Sequence, residues 1–173
     1  MSEWPKTVRL SEVARAPVRV SLAPDDVARK QIAKQLGLVG LPAFTADVTL
    51  RPWLDGAEIL GRFEARVEQI CSVTAENFEQ DVAGRIELQV VPAGSPNAPQ
   101  EETSEEMALD ADAPDPPDVL EGDIVDLSAY LVEHLALEID PFPRKPGAEF
   151  DYAPDAPVES PFAVLKKLKD EGE

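Results

Sequence analysis

The sequence predicts an α+β fold: an antiparallel β-meander, curved or barrel-like, covered by two helices, with an acidic disordered loop and a short C-terminal helix. Three observations predict it. Apolar and polar residues alternate through most of the stretch from Thr45 to Val91, the period of half-buried strands. One helical stripe precedes that stretch and another follows it. Between the meander and the second stripe lies Ala93 to Pro117, AGSPNAPQEETSEEMALDADAPDPP, with five prolines and no aromatic residue. Such a segment buries too little apolar surface to offset its ordering entropy.

The elements follow in order. Val18, Val20 and Leu22 alternate with Arg19 and Ser21 as a short strand. Ala23-Pro24-Asp25 starts a helix whose row Ala28, Ile32, Leu36 faces inward, and Gly37 is a fitting stop. Its outer face carries Arg29, Lys30 and Lys34, either a solvated face or a contact for RNA or an acidic partner. Val48, Leu50 and Leu54 oppose Asp47, Thr49 and Arg51, with Pro52 marking an edge or bulge. Trp53 falls on the polar face, to cap the sheet or to stack on a ligand or base. Asp55-Gly56 reads as a two-residue hairpin turn. Ile59, Gly61, Phe63, Ala65 and Val67 then alternate with Arg62, Glu64, Arg66 and Glu68. A turn near Ala75-Glu76 leads into Phe78, Val82, Ile86, Leu88 and Val90, set against Glu79, Asp81, Arg85 and Glu87. A sheet with one dry face needs a cover, and the two helices are the candidates. Val119–Val125 reads as one further short strand at an edge, weakened by Gly122. Asp126 is an N-cap for the second helix, whose stripe is Leu127, Tyr130, Leu131, His134 and Leu135, ending near Glu138. Asp140 to Pro161 has six prolines and reads as extended. Ser160-Pro161 caps a short terminal helix with the stripe Phe162, Leu165, Leu168. That stripe docks on its own sheet or anchors in a partner groove.

The 173 residues suggest one domain, 1–173, with a folded core of about 15–92 plus 118–150, an acidic linker over 93–117 and a Pro-rich tail over 151–173. The formal net charge is −18, unevenly spread. Residues 1–40 carry +3, and residues 93–126 carry −11 with no Lys or Arg at all. A protein that coats a duplex by neutralising phosphates over its whole surface is excluded by that balance. No apolar run approaches the ~20 residues that span a bilayer. Met1 to Arg15 lacks an apolar run of the secretory kind, so a cytoplasmic protein without membrane contact is expected.

Residues with an enzyme's chemistry are sparse. The single histidine, His134, lies on its helix's apolar stripe, where a structural role with one hydrogen bond is expected. Cys71 continues the inward parity of Phe63, Ala65 and Val67 and reads as a buried, inert thiol. No spacing singles out an acid–base pair, a nucleophilic triad, a phosphate loop or an EF-hand. The expectation is therefore no enzyme, no cofactor and no metal.

Three segments carry a resemblance: ICSVTAENFEQDV, EGDIVDLSAYLVEHLALEIDPFPRKPGAEF and SPFAVLKKL. Together they resemble the large ribosomal RNA subunit accumulation protein family (YceD-like), most closely its alphaproteobacterial branch, over most of residues 15–169. The most specific pieces are Asp126-Leu127, Leu135-Ala136-Leu137, Asp140-Pro141, Pro143-Arg144-Lys145-Pro146-Gly147 and Pro161-Phe162 through Leu168. Many members of that family carry a Cys-x-x-Cys pair in the meander and further cysteines after the second helix. This chain has Thr74 at the second position and no cysteine from Pro141 to Tyr152, which argues against zinc. The resemblance implies a role in accumulation or processing of large-subunit ribosomal RNA. Joined to the charge, it gives an expected partner: a large-subunit pre-ribosome or a basic ribosomal protein, with a local ribosomal RNA contact through Arg144-Lys145 in a proline-flanked segment. The other reading is an acidic binding module or chaperone for a single basic protein.

Overall fold

The computed structural model describes residues 4–99 and 115–150. Its elements are β1 (Thr7–Arg9), α1 (Leu10–Val13), β2 (Val18–Leu22), α2 (Asp26–Gln35), β3 (Gly40–Trp53), β4 (Gly56–Ile70), β5 (Asn77–Pro92), β6 (Asp118–Leu120), β7 (Ile124–Asp126) and α3 (Leu127–Glu138). A five-stranded sheet runs in the order β2-β3-β4-β5-β6, and a two-stranded ribbon pairs β1 with β7. The long meander of β3, β4 and β5 is antiparallel, as the alternation predicts. The sheet does not close into a barrel: β2 and β6 are its edges, and they do not pair with each other.

Shape complementarity across the strands sets the packing of the dry face. Phe63 lies opposite Gly84, and Ile86 lies opposite Gly61. A Cβ added at Gly84 would stand 2.4 Å from the Phe63 ring, so the glycine is the space the ring fills. Phe63 is 1% exposed and meets Phe44 edge to face. Helix α3 packs on β5, β4 and β1, while α2 packs on β3. Asp126 caps α3 by accepting from the amides of Ser128 and Ala129. His134 is half-buried, and its Nδ1–H donates to the Tyr130 carbonyl at 2.9 Å, the structural role expected of it.

Five expectations change. The packed region begins before residue 15: Val8, Leu10 and Val13 are buried, and Trp4 packs edge-on against Phe44. A three-residue strand and a one-turn helix are too short to show a period. The hairpin loop is Leu54-Asp55 rather than Asp55-Gly56, because Trp53 pairs with Gly56. Leu54 takes the left-handed backbone (φ 50) and is exposed rather than packed with Leu50. Gly56 is a strand residue; a Cβ there would sit 1.8 Å from the Val90 carbonyl oxygen, a close approach that only glycine allows. The expected single strand at 119–125 is two strands in two sheets, divided at Gly122 (φ 119). β6 joins β5 in parallel, the one departure from an antiparallel sheet. A parallel return needs a long crossover, and residues 93–117 supply it. Finally, the start of that connection is anchored: Ser95 Oγ and Asn97 Nδ2 both donate to Asp55 Oδ1 at 2.9 Å. The acidic residues 101–112 and the expected terminal helix fall outside the described residues.

Candidate partner-binding end of the sheet

The register places Gly40 beside Glu68, and Ile70 beside Asn77. The start of β3, the end of β4 and the start of β5 therefore share one end of the sheet. The Trp53–Gly56 turn and the Val90–Pro92 pairing with β6 lie at the other.

Helix α2 delivers a cationic face to the first end. Asp25 caps it, accepting from the Ala28 amide. Its exit is a glycine-terminated turn: Gly37 (φ 67) donates to the Lys34 carbonyl, and Leu38 donates to the Ala33 carbonyl. The chain reverses there, and Val39 joins the sheet by donating to the Glu68 carbonyl. This fold-back opens a groove of about 500 Å³, with Arg29, Lys30 and Lys34 on one wall and Leu38, Val39 and Pro42 on the other. Arg29 is held, donating to the Pro24 carbonyl and to Asp26. Lys30 and Lys34 are exposed, and neither makes an ion pair among the described residues. They stand one turn apart on a helix whose one acidic residue is Asp26, which is already paired with Arg29. The sequence locates the three cations but not the apolar wall, since Leu38-Val39 lies beyond the helix stop at Gly37 and shows no period of its own. The signal was the Gly37 turn, which folds these residues back beside α2.

Arg144 and Lys145 lie at the same end, in a strap that follows α3. The Pro-rich stretch is pinned there rather than free. Gln69 Nε2 donates to the Asp140 carbonyl at 3.1 Å, and the Ser72 amide donates to the Pro143 carbonyl at 2.8 Å. A turn from Lys145 to Ala148 with Gly147 at φ 77 follows. Lys145 Nζ pairs with Glu76 at 3.0 Å, which lowers the Glu76 pKa and occupies the lysine. Arg144 stays exposed and makes no ion pair among the described residues; it lines a hollow of about 430 Å³ with Phe78, Phe142 and Pro146. The proposed Arg144-Lys145 pair is thus split, one side chain in a surface ion pair and one open to solvent.

Cys71 joins the strap to the β4–β5 loop. The thiol is buried, as expected, but it is no passive filler. Its sulfur accepts from the amides of Val73, Thr74 and Lys145, each at 3.4 Å. The Thr74 hydroxyl and then the Lys145 amide favour the thiolate over the opposing effect of burial, and the pKa falls from 9.0 to about 6.

Of the remaining candidates, Trp53 is half-buried on the polar face at the opposite end, away from both cationic features. Phe162, Leu165 and Leu168 lie outside the described residues. Among the described residues, no cluster of His, Cys, Asp or Glu is arranged to hold a metal ion, and no helix is long and apolar enough to cross a membrane.

No curated protein and no solved structure matches the chain. A family match begins at Ile59 rather than near residue 15, so α2 and its groove precede it. It runs over residues 59–169, taking in nearly all of β4, all of β5 and α3, and the strap. With more than half of its length matched, the chain belongs to the family described as large ribosomal RNA subunit accumulation protein YceD.

Proposed function

We propose that this chain is a non-enzymatic cytoplasmic factor that promotes accumulation or processing of large-subunit ribosomal RNA by binding protein or RNA–protein surfaces of large-subunit precursors. The observation that carries this reading is the family match across the meander, α3 and the strap. The net charge of −18 supports the mode of action. Ribosomal proteins are mostly basic, and opposite charge steers association and raises its rate. The same charge supports a second reading, a carrier for one basic protein.

Gradient sedimentation of a lysate containing the tagged full-length chain separates the two. The first reading expects the chain to co-sediment with large-subunit precursors and to leave them after nuclease treatment. Recovery only in a nuclease-resistant, salt-sensitive complex with one basic protein would favour the second.

A further inference from the structure

We propose that the groove between α2 and the start of β3 binds the phosphate backbone of single-stranded RNA through Lys30 and Lys34. The inference rests on the large-subunit reading and names what this groove takes.

The argument begins from an imbalance. Acidic residues outnumber Lys and Arg two to one in this chain, 34 against 16. On the sheet and the strap, Arg51 pairs with Glu58, Arg66 with Asp81 and Lys145 with Glu76, while Arg19, Arg62, Arg85 and Arg144 make no ion pair among the described residues. What sets Lys30 and Lys34 apart is that they are unpaired among the described residues and stand together, one helical turn apart on one face of α2. From Val27 to Ala46 there are three cations and no acid. Among the described residues, Asp26 is the one carboxylate on the groove's lining, and Arg29 pairs with it. The groove is therefore a local positive site on a negative protein, open to an anion from outside.

The lysine spacing and the facing wall suit a nucleic acid strand. The two lysines are ~6 Å apart along the helix axis, comparable to the spacing of neighbouring phosphates in an extended strand. An ammonium is a compact point charge that suits a phosphate oxygen. The facing wall offers Val39, which is 44% exposed, and Pro42 to the ribose. Among the described residues no aromatic side chain lines the groove, so binding should be indifferent to sequence.

Fluorescence anisotropy of the full-length chain with a labelled oligouridylate tests this. The wild type should bind, with affinity falling as salt rises by ~0.7 log units per log of salt for each phosphate contacted. Lys30→Gln with Lys34→Gln should weaken binding ~10-fold or more and make that slope shallower by ~1.4. Lys30→Arg with Lys34→Arg should keep both, and neither double variant should lower Tm. Absence of wild-type binding, or a Gln variant with an unchanged slope, would overturn the proposal. Equal binding of a labelled polyglutamate peptide would overturn it in favour of an acidic protein partner. Sedimentation of the chain with large-subunit precursors is independent of this result, so loss of the RNA site leaves the family reading standing.

Discussion

The two ends of the long meander are built differently. At the Trp53–Gly56 end the chain reverses through two residues, Gly56 lies hard against the Val90 carbonyl, and Asp55 holds Ser95 and Asn97. The connection from β5 to β6 departs from this end and returns to it. At the Gly40–Ile70 end, six residues join β4 to β5, a strap crosses the loop, and α2 folds back over the start of β3. Val39, Ile70 and Phe142 are exposed there together with Lys30, Lys34 and Arg144. One end is closed by close backbone contact, and the other presents cations and apolar side chains.

The largest expected effect breaks what the two ends share. Phe63→Ala empties the space over Gly84 and should cost ~3–5 kcal/mol by denaturant unfolding, loosening both ends together. A smaller loss would mean that α3 settles into the gap. Gly56→Ala strikes the closed end alone. Its Cβ has no space beside the Val90 carbonyl, so strands must part, at a cost of ~2–3 kcal/mol. Hydrogen exchange should quicken around Val90–Pro92 and Asp118–Leu120 while the Cys71 loop stays protected.

A pH titration probes the open end. The Cys71 pKa is lower in the folded chain, about 6, than the ordinary 9.0, so the folded state binds the thiol proton less tightly than the unfolded state does. The thiolate's contribution to stability is fully present above about pH 9 and is lost as pH falls through 6. The Tm difference between wild type and Cys71→Ser should therefore grow between these values and level off above. A difference independent of pH would show that the amides hold a neutral thiol. The smallest effect should come from Asp55→Ala, an exposed acceptor. Tm should barely move, while exchange at the Asn97 amide should rise.

The meander was legible in the sequence because its face alternates over many residues, and the caps at Asp25 and Asp126 and the stop at Gly37 have local chemistry. The elements that were missed are short or nonlocal. Val8, Leu10 and Val13 are buried by contacts with distant segments, and the split at Gly122 depends on which strand each half meets. The hairpin loop slipped by one residue because Gly56 was read for its backbone freedom, whereas the structure uses its missing side chain. For the candidate site, the cations of α2 stood out as a patch, but the apolar wall and the neutralisation of Lys145 by Glu76 join residues far apart in the chain.

The most direct test of the account is the ratio of mature large-subunit to small-subunit ribosomal RNA in cells depleted of this chain. The account predicts a selective fall in the large-subunit RNA that the wild-type chain restores. An unchanged ratio on depletion would contradict it.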